Sequence, residues 1–163
     1  MELWEVVARE AIRDLVTRYN ANGDSGRFAQ VYELFAPDAA MEISAGIKGS
    51  GVYRGHDQIS QIFTGTRDTL IDGAGAEAAA AAQAPAGSTY MRHYTATHQI
   101  DLVDQTHAKG RCYYQVLMPH GLDHWGRCLD EYECRDGRWL FTYRKVTQDG
   151  WVPGGMGAAA VEA

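Results

Sequence analysis

Cysteine is scarce in this chain and never arranged as CxxC: Cys112, Cys128 and Cys134 are all it has. An odd, scattered set excludes a disulfide framework and fits a reducing cytoplasm, the expected location. No apolar run approaches the ~18 residues needed to span a bilayer. The opening MELWEVVAREAIRDL alternates charged with apolar residues and has no continuous core of a secretion signal. Positive charge is in deficit. Fifteen Lys and Arg against 21 Asp and Glu leave a formal net charge of −6. Such a surface repels phosphate backbones and anionic lipid, so neither nucleic acid nor a membrane is an expected partner. Several catalytic signatures are also missing: there is no HExxH, no GxSxG and no GKS or GKT. The glycine-rich stretches 44–51 and 150–157 lack the strand–GxGxxG–helix setting of a nucleotide site. No metal and no cofactor is expected.

What remains is an ordinary globular composition, 45% hydrophobic and 22% charged over 163 residues, enough for one domain with a real core. Leu3, Val7, Ala11, Leu15 and Tyr19 recur every four residues, with Ile12 and Val16 widening the stripe, which predicts a first helix. Asn20 to Gly23 breaks that pattern. Asp24-Ser25 then reads as the N-cap of a second helix carrying Phe28, Val31, Tyr32, Leu34 and Phe35, ended by Pro37-Asp38. Short extended segments at Ala40–Ile43 and Gly51–Tyr53 precede a third helix opened by Gly55-His56-Asp57. Residues 71–88 are a low-complexity insert, expected as a short alanine helix fraying into loop, without chemistry.

Beyond the insert the period becomes that of strands. Tyr90–Val103, Thr106–Met118, Trp125–Arg135 and Trp139–Gln148 are rich in β-branched and aromatic residues, and Asp136-Gly137 is a hairpin turn. Helices grouped before a four-strand antiparallel meander predict an α+β fold with the helices on one face of a curved sheet. Residues 1–150 form the domain, and 151–163 are expected as a flexible C-terminal tail.

A small set of side chains could carry chemistry. Asp24 is either an N-cap or a carboxylate aimed into the space between helices and sheet. His93 opens the strand RHYTATHQIDLV, and histidine is the side chain whose unperturbed pKa lies near neutrality, a residue type able to take or give a proton. A carboxylate behind it would fix its tautomer and stabilise the imidazolium. Simple alternation places His98 on the more apolar face with Tyr94, Ala96 and Ile100, and His93 on the other with Thr95 and Thr97, unless a bulge resets the parity. Tyr19 is a helix-stripe residue or a hydroxyl donor. Arg144, in TYRKV, is a solvated surface charge or a stabiliser of developing negative charge.

The segments AIRDLVTRYNANGDSGRFAQVYELFAPDA, YRGHDQI, RHYTATHQIDL and DEYECRDGRWLFTYRKV, in that order, resemble the SnoaL-like branch of the nuclear transport factor 2-like superfamily over roughly residues 5–150. The resemblance implies a cone: a strongly curved antiparallel sheet, barrel-like, wrapped around three helices with an apolar pocket between them. Within the branch the chain is similar to the hexachlorocyclohexane dehydrochlorinases, scytalone dehydratases and bile acid 7α-dehydratases. The match puts Asp24 and His93 on their proton-abstracting dyad, Arg144 on an active-site arginine and Tyr19 on a catalytic tyrosine or lysine. Tyr53, His98, Cys112, Tyr114, Cys128 and Gln148 then count as candidate substrate-binding residues. The second histidine of the scytalone dehydratases has no secure match, with His98 and His124 both open. The insert is expected near the pocket rim.

The implied function is a cofactor-independent lyase, a dehydratase or dehydrohalogenase acting on a small hydrophobic cyclic molecule. The same parts would serve an isomerase or a polyketide-type cyclase. A non-catalytic binding or assembly module, like the small subunits of ring-hydroxylating dioxygenases, is the third reading. A homodimer or homotrimer is expected, since the edge strands of so curved a sheet need cover.

Overall fold

The computed structural model describes residues 1–47, 49–84 and 90–161. Among the described residues eleven elements run in the order α1 (Leu3–Asp24), α2 (Phe28–Tyr32), β1 (Phe35–Ile43), β2 (Gly51–Arg54), α3 (Gly55–Ile71), α4 (Ala76–Ala81), β3 (Arg92–Leu102), β4 (His107–Met118), β5 (Gly121–Arg135), β6 (Arg138–Trp151) and α5 (Met156–Ala159). The strands form one sheet in the order β2-β1-β6-β5-β4-β3. Its meander β3–β6 is antiparallel as expected, and Asp136 (φ 51°) and Gly137 (φ 77°) supply the two positive φ angles of a type I′ hairpin turn.

The expected barrel does not close. β1 lies parallel to β6, and the outer strands β2 and β3 are edges. Helices rather than hydrogen bonds bridge the gap, with α1 against β3 and α3 against β1 and β2. Ile12, Leu15 and Val16 of α1 meet Val31, Phe35, Ile59, Tyr132 and Phe141 in the main core. Each such side chain contributes about 1.5–3 kcal/mol when fully buried.

Three local expectations need correcting. First, α1 does not stop at Asn20. It runs on through Asn22-Gly23 to Asp24, so Asp24 closes α1 rather than capping α2, whose own N-cap is Arg27. Tertiary contacts outweigh the poor propensity here: Asn20 Nδ2 donates to Thr95 Oγ1 (2.7 Å) and Arg27 Nε donates to Asn22 Oδ1 (3.0 Å). The turn that does end the helix is made by Gly26 at φ 70°, where Arg27 N reaches back to Asn22 O. Second, α2 is only one turn long. Phe35 already begins β1, and Pro37, expected to end a helix, lies in that strand where the register with β6 shifts between Phe35 and Ala40. An irregular stretch tolerates a residue without an N–H.

Third, the segment after β6 is packed instead of hanging as a tail. Met156 and Gly157 are buried, Met156 joining Val116 and Met118 in a second apolar cluster. The alanine insert helps to hold it: α4 forms within residues 71–88, and Ala78 N donates to Gly154 O (3.3 Å). Residues 85–88 of that insert lie outside the described residues.

Two β-bulges decide what faces inward. In β3 the register slips between Ala96 and Gln99, with Thr97 at φ 52°. Before the slip His93 and Thr95 are the sheltered residues; after it His98, Ile100 and Leu102 are. In β5, Leu117 opposes Leu122 while Val116 opposes His124, so Asp123 is the extra residue. Adjacent residues normally point to opposite faces, but the bulge turns both Asp123 and His124 inward.

Candidate active site

A cavity of about 570 Å³ opens between α1, α3, the concave face of the sheet and the α5 segment. Its wall includes Tyr19, Asp24, Tyr53, His93, Tyr114, Cys128, Arg144 and Gln148, all singled out from the sequence. Two others are elsewhere. Cys112 stands directly opposite Cys128 on β4, buried behind the wall, and His98 belongs to the core beneath it, where its Nε2 meets Tyr132 Oη (3.2 Å). The bulge at Thr97 explains the placing of His98: it keeps that ring inside while also letting His93 turn in.

The extension of α1 brings Asp24 to the first residues of β3. Asp24 Oδ2 accepts from His93 N (2.8 Å) and Oδ1 lies 2.6 Å from His93 Nδ1. Backbone and ring of His93 are thus both held by one carboxylate. With Nδ1 engaged, Nε2 is the nitrogen left to act on a ligand. The histidine side chain is 27% exposed and the aspartate 9%, so the pair sits at the cavity surface without being open to bulk water.

Arg144 is not on the surface. It is 2% exposed, stacked on Tyr19 (4.2 Å to the ring centroid) and Phe141 (4.8 Å), with Nε 3.7 Å from Asp130 Oδ1. Tyr132 Oη donates to the other Asp130 oxygen (2.9 Å). Burial pushes the Asp130 carboxyl up, and Arg144 and the Tyr132 hydroxyl pull it back. Nε and Nη1 of Arg144 are buried with no hydrogen-bond acceptor among the described residues, and the side chain borders the cavity. A fixed positive charge at the wall favours a leaving anion or a developing oxyanion nearby. Burial also raises the Tyr19 hydroxyl well above its ordinary range, Arg144 offsetting only part of this, which keeps it a donor. A hydrogen bond from Cys112 and the nearby guanidinium pull the Cys128 thiol down against its burial.

His98 makes a testable contrast with His93. Burial, followed by the positive charges of Arg144 and Arg13, pushes its pKa down from 6.5 to about 4. The unfolded chain therefore binds this proton below pH 6.5 and the folded chain only near pH 4. Stability falls as pH drops through that window, by about 2 kcal/mol for a half-buried ring. Urea midpoints measured from pH 7 to pH 4 should decline less steeply in His98→Gln; equal slopes would refute the assignment.

Sequence reasoning left one residue open that the geometry brings to the wall: His124, with Asp123 behind it. Alternation hid this pair, because neighbours in a strand are read as facing opposite ways.

Solved structures share this architecture. A hexachlorocyclohexane dehydrochlorinase of type 3 from Novosphingobium barchaimii superposes with a TM-score of 0.70 at 16% identity, covering 94% of each chain. A proposed scytalone dehydratase from Novosphingobium aromaticivorans gives 0.70 at 17% identity, over 93% of this chain and 91% of that one. An NTF2-like protein with a cystatin-like fold from the same organism gives 0.66 at 19%, over 99% and 98%. At such identities the likeness carries the fold alone. No curated protein sequence matches significantly. Residues 4–145 match the SnoaL-like domain model, and the chain belongs to that family.

Proposed function

We propose that this protein is a cofactor-independent lyase for a small hydrophobic cyclic substrate, with His93 as the general base. The observation that carries the reading is the Asp24–His93 hydrogen bond of 2.6 Å at the wall of a largely apolar cavity. His93 Nε2 takes a proton from a carbon next to an activating group, and Asp24 stabilises the imidazolium that forms. Arg144, with Tyr19 beneath it, receives the charge that develops on the departing group. General-base catalysis supplies about 10²–10⁴-fold, and fixed positions in a water-poor cavity supply more. The relatives of known fold include a protein named as a dehydrochlorinase and one proposed as a dehydratase, which supports elimination over pure binding.

The reading is tested with a panel of halogenated cyclohexanes and hydroxylated bicyclic ketones, following loss of hydrogen halide or water by mass spectrometry. Turnover that vanishes in both His93→Ala and Asp24→Asn supports it. Turnover that survives both substitutions sinks it.

A further inference from the structure

The cavity carries a second carboxylate–imidazole pair built on the same plan. His124 Nδ1 lies 2.6 Å from Asp123 Oδ1, and its Nε2 has no partner among the described residues. Asp123 is completely buried, and its oxygens also accept from Met156 N and Gly157 N (2.8 Å each), with His120 Nε2 3.0 Å away. These hydrogen bonds, led by that of His124, hold its carboxyl below the usual carboxylate range against the opposing effect of burial. A charge so deep is kept by dedicated partners, and the packing of α5 against β5 supplies two of them.

Strand register fixes how the two pairs relate. His93 on β3 opposes Val116 on β4, and Val116 opposes His124 on β5. The two histidines therefore stand two strand spacings apart, roughly 10 Å at the backbone, and both line the cavity. The Tyr114 ring neighbours both, 6.3 Å from the His93 ring and 6.2 Å from that of His124. An anti elimination needs a base about 3 Å from the carbon and an acid about 3 Å from the leaving atom. With the substrate between, that is roughly 8 Å from nitrogen to nitrogen.

From this geometry we infer that Asp123–His124 is a second proton-transfer pair that protonates an oxygen leaving group of the substrate. The inference rests on His93 being the base, and it narrows the substrate class to hydrophobic cyclic compounds that lose a hydroxyl. Halide departs without a proton; hydroxide does not. In the step, His93 Nε2 takes the proton, the C–H electron pair becomes the new C=C bond, and the C–O pair leaves on oxygen. His124, starting as imidazolium, gives its Nε2 proton to that oxygen, which departs as water. His93 ends protonated and His124 neutral, and solvent returns the proton to complete the cycle.

Substituted benzisoxazoles test this without the natural substrate. Their ring opening breaks one C–H and one N–O bond, forms a nitrile and releases a phenolate whose basicity is set by the ring substituents. In the unaltered protein an internal acid should make the rate nearly insensitive to phenolate basicity. His124→Asn keeps an N–H donor to Asp123 but removes the cavity-facing Nε2. It should slow the poorest leaving group at least tenfold more than the best. A steep dependence already in the unaltered protein, or one that His124→Asn leaves unchanged, overturns the second pair while the base stands. Rates that His93→Ala does not reduce, or an unaltered protein that opens none of the series, overturn the base reading and this inference with it.

Discussion

His93→Ala should lower the rate of cavity-catalysed proton abstraction by about 10²–10⁴-fold, the contribution of a positioned general base. The readout is ring opening of 5-nitrobenzisoxazole, followed as nitrophenolate absorbance. Asp24→Asn should be nearly as damaging, although the amide is the same size and can still accept from His93 N. Stripped of its charge, it neither selects the tautomer with Nε2 free nor stabilises the imidazolium. Because the two groups act as one unit, His93→Ala combined with Asp24→Asn should be no slower than His93→Ala alone. Independent, multiplying losses would mean that the 2.6 Å contact is structural and not catalytic. Truncation at 93 should cost little stability, since the ring borders a cavity and is partly exposed.

The largest effect on stability is expected from Asp130→Asn. Asp130 and Arg144 are each 2% exposed, and Asp130 is the carboxylate set against the guanidinium. Removing the negative charge leaves Arg144 buried and uncompensated, because a guanidinium does not give up its proton. The cost should be about 3–5 kcal/mol, or roughly 6–20 °C in Tm for a chain of this length. Replacing both partners with apolar side chains, Asp130→Leu with Arg144→Met, should restore most of the loss, since no charge then remains to be desolvated. Calorimetry on the single and double variants decides it. Should Asp130→Asn melt within 2 °C of the parent, the ion pair is not what holds this part of the core.

How much of this was legible from residues alone varied with the range of the forces involved. The meander from β3 to β6 was plain, because β-branched and aromatic alternation and the Asp136-Gly137 turn are local signals. The third helix began where Gly55-His56-Asp57 placed it. The end of α1 is not legible locally, since Asn20, Asn22 and Gly23 have poor helix propensity and the contacts that override it come from Thr95 and Arg27. Arg144 gave no sign of being buried: a lone arginine in TYRKV looks the same whether it meets water or Tyr19. Asp24 and His93 stand out through resemblance more than through periodicity. Alternation even argued against His93, because the bulge that corrects it involves a threonine, not a glycine. Asp123 escaped notice for the same reason.

That threonine has a consequence for the gene. Deleting the codon for Thr97 would remove the surplus residue: Ala96, His98 and Gln99 would then oppose Tyr113, Cys112 and Arg111 in an unbroken ladder, with His93 and Ile100 both still facing inward. An in-frame loss of three nucleotides at that codon should therefore spare both the chemistry and the core, whereas the same loss at Thr95 would carry His93 to the outer face or break its pairing with Val116.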